Sequence, residues 1–556
     1  MMDGQRGKKP ERGEMTDLAI WTLPVWVLTF LVGTALGQAP PEGRWIGACS
    51  APHIYRHFVI YIDKDDKGDL NGFYLEPLKP ENMMSKVSSI TSRGQRIGFR
   101  MQDSDRNLSF DGTLSANGLA GWMQTMKGKA KCHFLHVLKT PPDLLRKATG
   151  TYRVSENRII VVNPEMRWLY FYDTLTHETR RLSPLSETKF VFGPNRGIHY
   201  PVEGEVTFEK NNAGNFVALS IKLKDKQKAL HATRAKFYED HEITFENQNV
   251  KLAGTLRVPL GKGPFPAVVL LQGSSPQTRW GVDGFEGFLA DHLARHGIAV
   301  LLFDKRGAGE SGGTATDDYA TRTADTLAGI RLLRTRPEVD GQRIGLWGLS
   351  QGGQIEPWVA EQAKVAFLVN TGGSTVNSND QEVQRTELQL RFDGFSEAEI
   401  KDAVAFQRLK FQYACHRDNW EKYEEAYDRF KTARWFPDPY VGPPSAKTDT
   451  AWDFWKCGEE PAKAWEHYQG PVLLTFGEYE GYSSIPEDLR TFRDAMKKAG
   501  NTGYDIRIIK GAEHSMGVAR NGGERELALV KRLDPEYFQI IREWMLKHFQ
   551  APQFGY

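Results

Sequence analysis

The sequence lacks the charge excess and the cysteine spacing that mark several protein classes. Its 72 Lys and Arg residues nearly balance its 70 Asp and Glu residues, so the net charge is only +2 over 556 residues. No basic stripe with interleaved aromatic residues is present, which argues against a nucleic-acid partner. Only 4 cysteines occur, and none forms a Cys-x-x-Cys pair, so no structural zinc site is indicated.

These few cysteines fall into two pairs, Cys49 with Cys132 and Cys415 with Cys457. Each pair lies within one region of the chain, which predicts two disulfides inside domains if the protein reaches an oxidising compartment. Four buried reduced thiols are the alternative in the cytosol.

One long apolar run, Leu18–Ala35, follows several basic residues, and Ala35-Leu36-Gly37 supplies the small residues that a signal peptidase requires. We predict that residues 1–37 form a signal peptide and that the protein is periplasmic or secreted. Because the run approaches the length of a membrane span, an N-terminal anchor is the alternative. Membrane contact is expected only if this segment stays uncleaved.

The chain is too long for a single core. Residues 38–145 and 146–236 contain short alternating runs broken by turn residues, which predicts two β-rich domains, the first a small sheet or barrel. Residues 237–556 alternate strands with helices, which is typical of a mostly parallel sheet covered on both faces. An aromatic-rich insertion at 377–469 predicts a helical cap over the carboxyl edge of this sheet.

The most informative motif is Gly348-Leu349-Ser350-Gln351-Gly352, which follows the apolar run Arg343–Trp347 and precedes a predicted helix. A strand-to-helix turn this tight strains its central residue, and it admits only small residues two positions before and after. The pattern predicts that Ser350 is a nucleophile.

A serine nucleophile needs a base downstream, and His514 fits best. It lies in the loop after the predicted strand Ile506–Ile509, at the sheet edge where catalytic groups gather. The other downstream histidines considered lie in helical or cap sequence and are interpreted as surface or packing residues: His416, His467 and His548.

The carboxylate that orients this base has three candidates. Glu480 lies in the turn after the predicted strand Pro471–Phe476 and is preferred. Glu478 and Asp488 are rivals, and either of them also fits an ordinary solvated carboxylate or a charge at a helix start.

An oxyanion hole needs two backbone N–H donors, one after the nucleophile and one from an earlier loop. These positions are Gln351 and Ser274, where Gly273 permits a close turn.

Two other patterns are weaker. Gly307–Gly312 matches Gly-x-Gly-x-x-Gly but does not lead directly into a helix, so no dinucleotide site is expected. His292 and His296 share one helix face, but Leu293 stands where a zinc-protease motif requires Glu. We expect no cofactor.

Together, Pro266–Gln277, Asp304–Ser311 and the segment around Ser350 resemble the α/β-hydrolase superfamily, specifically EstD-like bacterial esterases, over about residues 242–550. The resemblance implies an ester hydrolase acting on a small-molecule ester, with Ser350, Glu480 and His514 as its triad. Gln272 and Ser275 depart from the usual first motif, and Glu480 stands where Asp is usual.

Two alternatives stay open. A serine peptidase of the same fold would hold a substrate ammonium group with cap carboxylates such as Glu421, Glu424 and Glu425, although these also fit a solvated helix face. The β-rich domains also fit a binding module for glycans or a partner. No oligomeric state is predicted.

Overall fold

A computed structural model of the chain describes residues 40–51, 54–77, 85–103, 106–116, 118–125, 128–436, 445–448, 452 and 457–550. The predicted signal peptide, residues 1–37, lies outside them. Two closed β-barrels precede an eight-stranded sheet among the described residues. The predicted α/β fold with preceding β-rich units is therefore confirmed. None of the helices in this part of the chain combines the length and hydropathy of a membrane span.

The first barrel is antiparallel, and its last strand pairs with its first. Its strands are β1 (Gly43–Ala51), β2 (Ile54–Lys64), β3 (Leu70–Leu75), β4 (Ser85–Arg93), β5 (Arg96–Asp103), β6 (Arg106–Leu114), β7 (Gly118–Thr125) and β8 (Gly128–Val137). Alternating side chains point inward and form an aromatic core with Trp45, Phe58, Tyr74 and Phe99. A disulfide between Cys49 and Cys132 joins β1 to β8 where the barrel closes.

The second barrel follows a short helix, α1 (Pro142–Ala148), whose Leu144 and Leu145 pack into its core. Its strands are β9 (Gly150–Ser155), β10 (Arg158–Glu165), β11 (Trp168–Asp173), β12 (Thr179–Pro184), β13 (Lys189–Phe192), β14 (Gly204–Lys210), β15 (Phe216–Leu223) and β16 (Leu230–Ala235). They close through pairing of β9 with both β10 and β16.

The large sheet has the order β17-β18-β20-β19-β21-β22-β23-β24. Its strands are β17 (Tyr238–Asn247), β18 (Val250–Pro259), β19 (Phe265–Leu271), β20 (Ala299–Phe303), β21 (Val339–Leu349), β22 (Leu368–Thr371), β23 (Val472–Tyr479) and β24 (Tyr504–Glu513). An antiparallel hairpin, β17 and β18, forms one edge, and the remaining strands are parallel. Parallel strands place their carboxyl ends, and the loops that follow them, at one edge.

Helices cover both faces of this sheet and form the insertion. They are α2 (Phe285–Ala294), α3 (Tyr319–Leu333), α4 (Gln351–Gln362), α5 (Ser378–Phe392), α6 (Glu397–His416), α7 (Trp420–Phe430), α8 (Pro461–Trp465), α9 (Ile485–Ala499), α10 (Glu524–Leu527) and α11 (Tyr537–Gln550). Helices α5 to α8 lie in the insertion, where Phe406, Tyr413, Tyr423 and Trp452 share an aromatic core. The second disulfide, Cys415–Cys457, anchors the end of α6.

The second barrel is not a separate body, because its outer face shares a hydrophobic core with the sheet helices. The Tyr172 ring lies 5.3 Å from Phe288 of α2 and 5.7 Å from Phe538 of α11. Main-chain hydrogen bonds run from Arg196 N–H to Val530 and from Gly197 N–H to Ala528. The barrel therefore also supports the loop that follows His514.

Both predicted disulfides are present, and we expect each to stabilise its own region. Replacing Cys415 and Cys457 together by Ala should lower the free energy of unfolding by about 2–4 kcal/mol, because the unfolded chain regains loop entropy. Urea unfolding followed by fluorescence measures this loss. The matched pair, Cys49→Ala with Cys132→Ala, should weaken the first barrel and leave the stability of the eight-stranded sheet unchanged. If peptide mapping finds four free thiols in protein purified from an oxidising compartment, both bridges are contradicted.

Candidate active site

Ser350 occupies the turn between β21 and α4 with φ 55° and ψ −123°, a backbone conformation that non-glycine residues rarely adopt. A Cβ at Gly348 would lie 2.3 Å from the Gly352 carbonyl carbon, and a Cβ at Gly352 would lie 2.1 Å from the Leu271 oxygen. Positions 348 and 352 must therefore both be glycine. The Ser350 N–H donates to the Thr371 carbonyl at 2.8 Å, which fixes the turn against β22.

His514 directly follows β24 and Glu480 directly follows β23, so the two residues meet at the carboxyl edge of the sheet. His514 Nδ1 lies 2.8 Å from both carboxylate oxygens of Glu480, whose side chain is fully buried. Glu480 is itself oriented by the Tyr482 N–H, which donates to Oε1 at 2.9 Å. The contact between His514 Nδ1 and Glu480 favours the imidazole form that carries its proton on Nδ1 and leaves Nε2 free to accept one.

The charge of Glu480 also changes the proton affinity of the imidazole. Burial on its own lowers the pKa of His514, but the Glu480 carboxylate outweighs burial through its charge and its hydrogen bond, with Glu513 adding to the effect. The pKa of His514 is therefore raised above its ordinary value. A stabilised imidazolium suits a group that takes up a proton during the reaction.

The segment after β22 lies close to both the serine turn and this pair. A Cβ at Gly372, which has φ 59°, would lie 2.9 Å from His514 Cε1 and 3.4 Å from Glu480 Oε2. A Cβ at the next residue, Gly373, would lie 2.8 Å from the Ser350 carbonyl oxygen. Two glycines thus allow Ser350 and the His514–Glu480 pair to approach the same short stretch of backbone.

The rival carboxylates have other partners. Asp488 is buried in α9, where its Oδ1 accepts from Ser374 Oγ and from the Thr375 N–H, each at 2.7 Å. Burial raises the pKa of Asp488 to about 6. Glu478 accepts from the Gly511 N–H at 2.8 Å. Among the described hydrogen bonds, only Glu480 of the three candidates contacts His514.

The loop after β19 lies against the serine turn. A Cβ at Gly273 would lie only 3.4 Å from Ser350 Cβ, so the peptide that precedes Ser274 lies beside the nucleophile candidate. The Gln272 side chain donates to the Phe303 carbonyl at 2.7 Å and so ties this loop to β20. Gln351 is the first residue of α4, where backbone N–H groups are free of helix partners.

Sequence reasoning missed two residues beside His514. The Tyr482 ring lies over the imidazole, with centroids 4.4 Å apart. The guanidinium of Arg385, on the cap helix α5, lies 4.9 Å from the Tyr482 ring centroid and pairs with Glu524 at 2.6 Å. Nothing in the local sequence of Arg385 marks it as a site residue, because the contact joins segments about a hundred residues apart.

No group of three or more His, Cys, Asp or Glu side chains is arranged to hold a metal ion in the part of the chain that the structure describes. The site as described consists of side chains and backbone donors of this chain.

Comparison with known proteins identifies the fold family. Residues 268–522 match the model of the alpha/beta hydrolase family. The esterase EstD of Thermotoga maritima is 32% identical over 318 residues, which cover 56% of this chain and 68% of EstD. The thiohydrolase aneE of Aspergillus aculeatus is 34% identical over 110 residues, covering 19% of this chain and 31% of aneE.

The chain is also similar in structure to the Pyrococcus furiosus esterase Pf2001, at 17% identity and a TM-score of 0.36, with 56% of this chain and 92% of that chain covered. On the sequence matches, this chain belongs to the α/β-hydrolase family, and within it to the EstD-like esterases.

Proposed function

We propose that this esterase cleaves uncharged carboxylic esters of short or medium acyl length through a Ser350–His514–Glu480 triad. The observation that carries the proposal is the 2.8 Å contact between His514 Nδ1 and the buried Glu480 carboxylate. Ser350, on its strained turn close to Gly373, supplies the nucleophile.

In this mechanism His514 Nε2 removes the hydroxyl proton while Ser350 Oγ attacks the ester carbonyl carbon. The carbonyl oxygen becomes an oxyanion, which the N–H groups of Ser274 and Gln351 stabilise. When the tetrahedral intermediate collapses, His514 returns the proton to the departing alkoxide and an acyl-enzyme remains. Water then attacks the acyl carbon with His514 again as base, which releases the acid and regenerates Ser350. No cofactor takes part.

The peptidase alternative finds no support in the cap. Glu421, Glu424 and Glu425 are exposed on α7, whose buried positions are Trp420 and Tyr423. Exposed carboxylates on an outer helix face are well placed for solvent and lack the burial that would strengthen recognition of an ammonium group.

We also propose that the protein is exported and that the domain limits follow the expectation from the sequence, at 38–145, 146–236 and 237–556 with a cap at 377–469. The two disulfides support an oxidising location, periplasmic or extracellular.

A substrate panel tests the activity. We expect p-nitrophenyl acetate or butyrate to be hydrolysed with a kcat/KM at least about a hundredfold above any aminoacyl anilide, a difference of roughly 2.7 kcal/mol in transition-state stabilisation. The reason is that an alkoxide leaves more readily than an amine, and the α7 carboxylates that could bind an ammonium group are exposed to solvent. Comparable rates on a free-amine anilide, lost on Glu421→Gln or Glu424→Gln, would instead establish the peptidase.

A further inference from the structure

Behind the loop that carries Ser274 lies a buried lysine. Lys305, 5% exposed, donates from Nζ to the Gly273 carbonyl oxygen at 2.9 Å. That carbonyl and the N–H of Ser274 belong to one trans peptide group, so they point in opposite directions. Lys305 therefore contacts the far end of the peptide whose N–H is the proposed oxyanion donor.

The lysine is held in this position by Asp317. Lys305 Nζ lies 2.6 Å from Asp317 Oδ1, and the other carboxylate oxygen accepts from the Ser275 N–H at 2.8 Å. The Lys305–Asp317 ion pair thus binds the loop on both sides of Ser274, at the Gly273 carbonyl and at the Ser275 N–H.

A second buried cation links the loop to the other donor. Arg322 of α3 donates to the Gln272 carbonyl and to Gln351 Oε1, while Gln351 Nε2 donates to the Asp317 carbonyl at 2.8 Å. The two residues that supply the oxyanion donors are in this way tied to one network. Arg322 is 6% exposed, so water competes little with these contacts.

We infer that Lys305 is a positioning residue for the oxyanion hole, an inference that rests on the proposed function. Lys305 fixes and polarises the Gly273–Ser274 peptide so that the Ser274 N–H stabilises the oxyanion. A hydrogen bond from a cation to a peptide carbonyl draws electron density from the amide and strengthens its N–H as a donor. A donor held in place before the reaction also spends no free energy on reorientation in the transition state.

The ionisation of Lys305 offers a readout that a purely structural role would not give. Burial lowers the pKa of Lys305 to about 7; the Arg322 charge acts in the same direction and Asp317 opposes it. Only the ammonium form carries the positive charge that polarises the peptide, so kcat should fall as pH rises through this range. This alkaline fall is opposite in direction to the acidic fall caused by protonation of His514.

The test compares Lys305→Met, Lys305→Arg and Arg306→Met on p-nitrophenyl butyrate. Arg306 is the matched control, because it is a neighbouring cation whose partner is Asp325, at 2.6 Å. We expect Lys305→Met to lower kcat by about 10- to 100-fold with KM changed less than about threefold, a smaller loss than removal of an oxyanion donor itself. Arg306→Met should stay within about threefold.

Two further measurements isolate the oxyanion. An alkyl trifluoromethyl ketone reacts with the serine to give a hemiketal whose former carbonyl oxygen is an oxyanion. Inhibition by this ketone should weaken in Lys305→Met by the same factor as kcat/KM. Lys305→Arg, which stays charged, should restore part of kcat and move the alkaline fall to higher pH. If Lys305→Met does not fold, the Lys305→Arg pH profile decides the question.

Unchanged kcat and ketone inhibition in folded Lys305→Met, or a Lys305→Arg pH profile identical to that of the unmodified protein, would overturn the inference. Activity that survives Ser350→Ala would overturn the proposed function instead, so the two failures are distinguishable.

Discussion

Replacing Ser350 by Ala should lower kcat/KM for p-nitrophenyl butyrate by about 10⁵-fold or more, with the fold intact. The substitution removes only the nucleophilic oxygen. The strained turn remains possible because the glycines at 348 and 352 leave room for it, and the hydrogen bond from the residue 350 N–H to Thr371 fixes it. His514→Ala should cost nearly as much, because nucleophile and base act as one unit. Steady-state rates on purified variants, with circular dichroism as the folding check, measure both effects.

The double variant supplies the control. If Ser350 and His514 work in one mechanism, Ser350→Ala with His514→Ala should be no slower than either single variant, since each alone already abolishes the step. A fluorophosphonate probe should label the Ser350 peptide in the unmodified protein and no residue in Ser350→Ala. Ordinary turnover in a folded Ser350→Ala protein would refute the nucleophile assignment.

Much of the catalytic sheet could be predicted because its signals are local. The strand before Ser350 is a continuous apolar run, and the glycines around it have no other simple role, so both the element and the turn are readable from neighbours in sequence. The aromatic insertion likewise indicated helices with a core of their own, which Phe406 and Tyr423 now form.

What could not be predicted depends on contacts between distant segments. Alternation in the second β-rich region indicated strands, but not that Tyr172 would pack on Phe288 and Phe538 of the catalytic region. Arg385 and Lys305 are ordinary charged residues in sequence, and only the folded chain brings one above Tyr482 and the other against Gly273. The early hairpin, β17 and β18, was also missed as two strands of the sheet.

The proposed triad acid shows most clearly what local sequence leaves open, since Glu478, Glu480 and Asp488 all lie at or beyond the carboxyl end of β23. We expect Glu480→Gln to lower kcat by about 10³- to 10⁴-fold. The amide is similar in shape, but its NH₂ group favours an imidazole that accepts at Nδ1, which places the proton on Nε2 where the base must be free. Kinetics on p-nitrophenyl butyrate measure the loss.

The same variant makes a pH prediction. Because the Glu480 carboxylate raises the pKa of His514 against the effect of burial, its removal should lower that pKa, and the acidic limb of the residual kcat/KM should move to lower pH. Glu478→Gln is the matched control: its exposed carboxylate accepts only from the Gly511 N–H among the hydrogen bonds described, so turnover should stay within about twofold. Asp488→Asn should act mainly on stability, since its Oδ1 partners are Ser374 and Thr375. Loss of turnover in folded Asp488→Asn together with an active Glu480→Gln would transfer the role to Asp488.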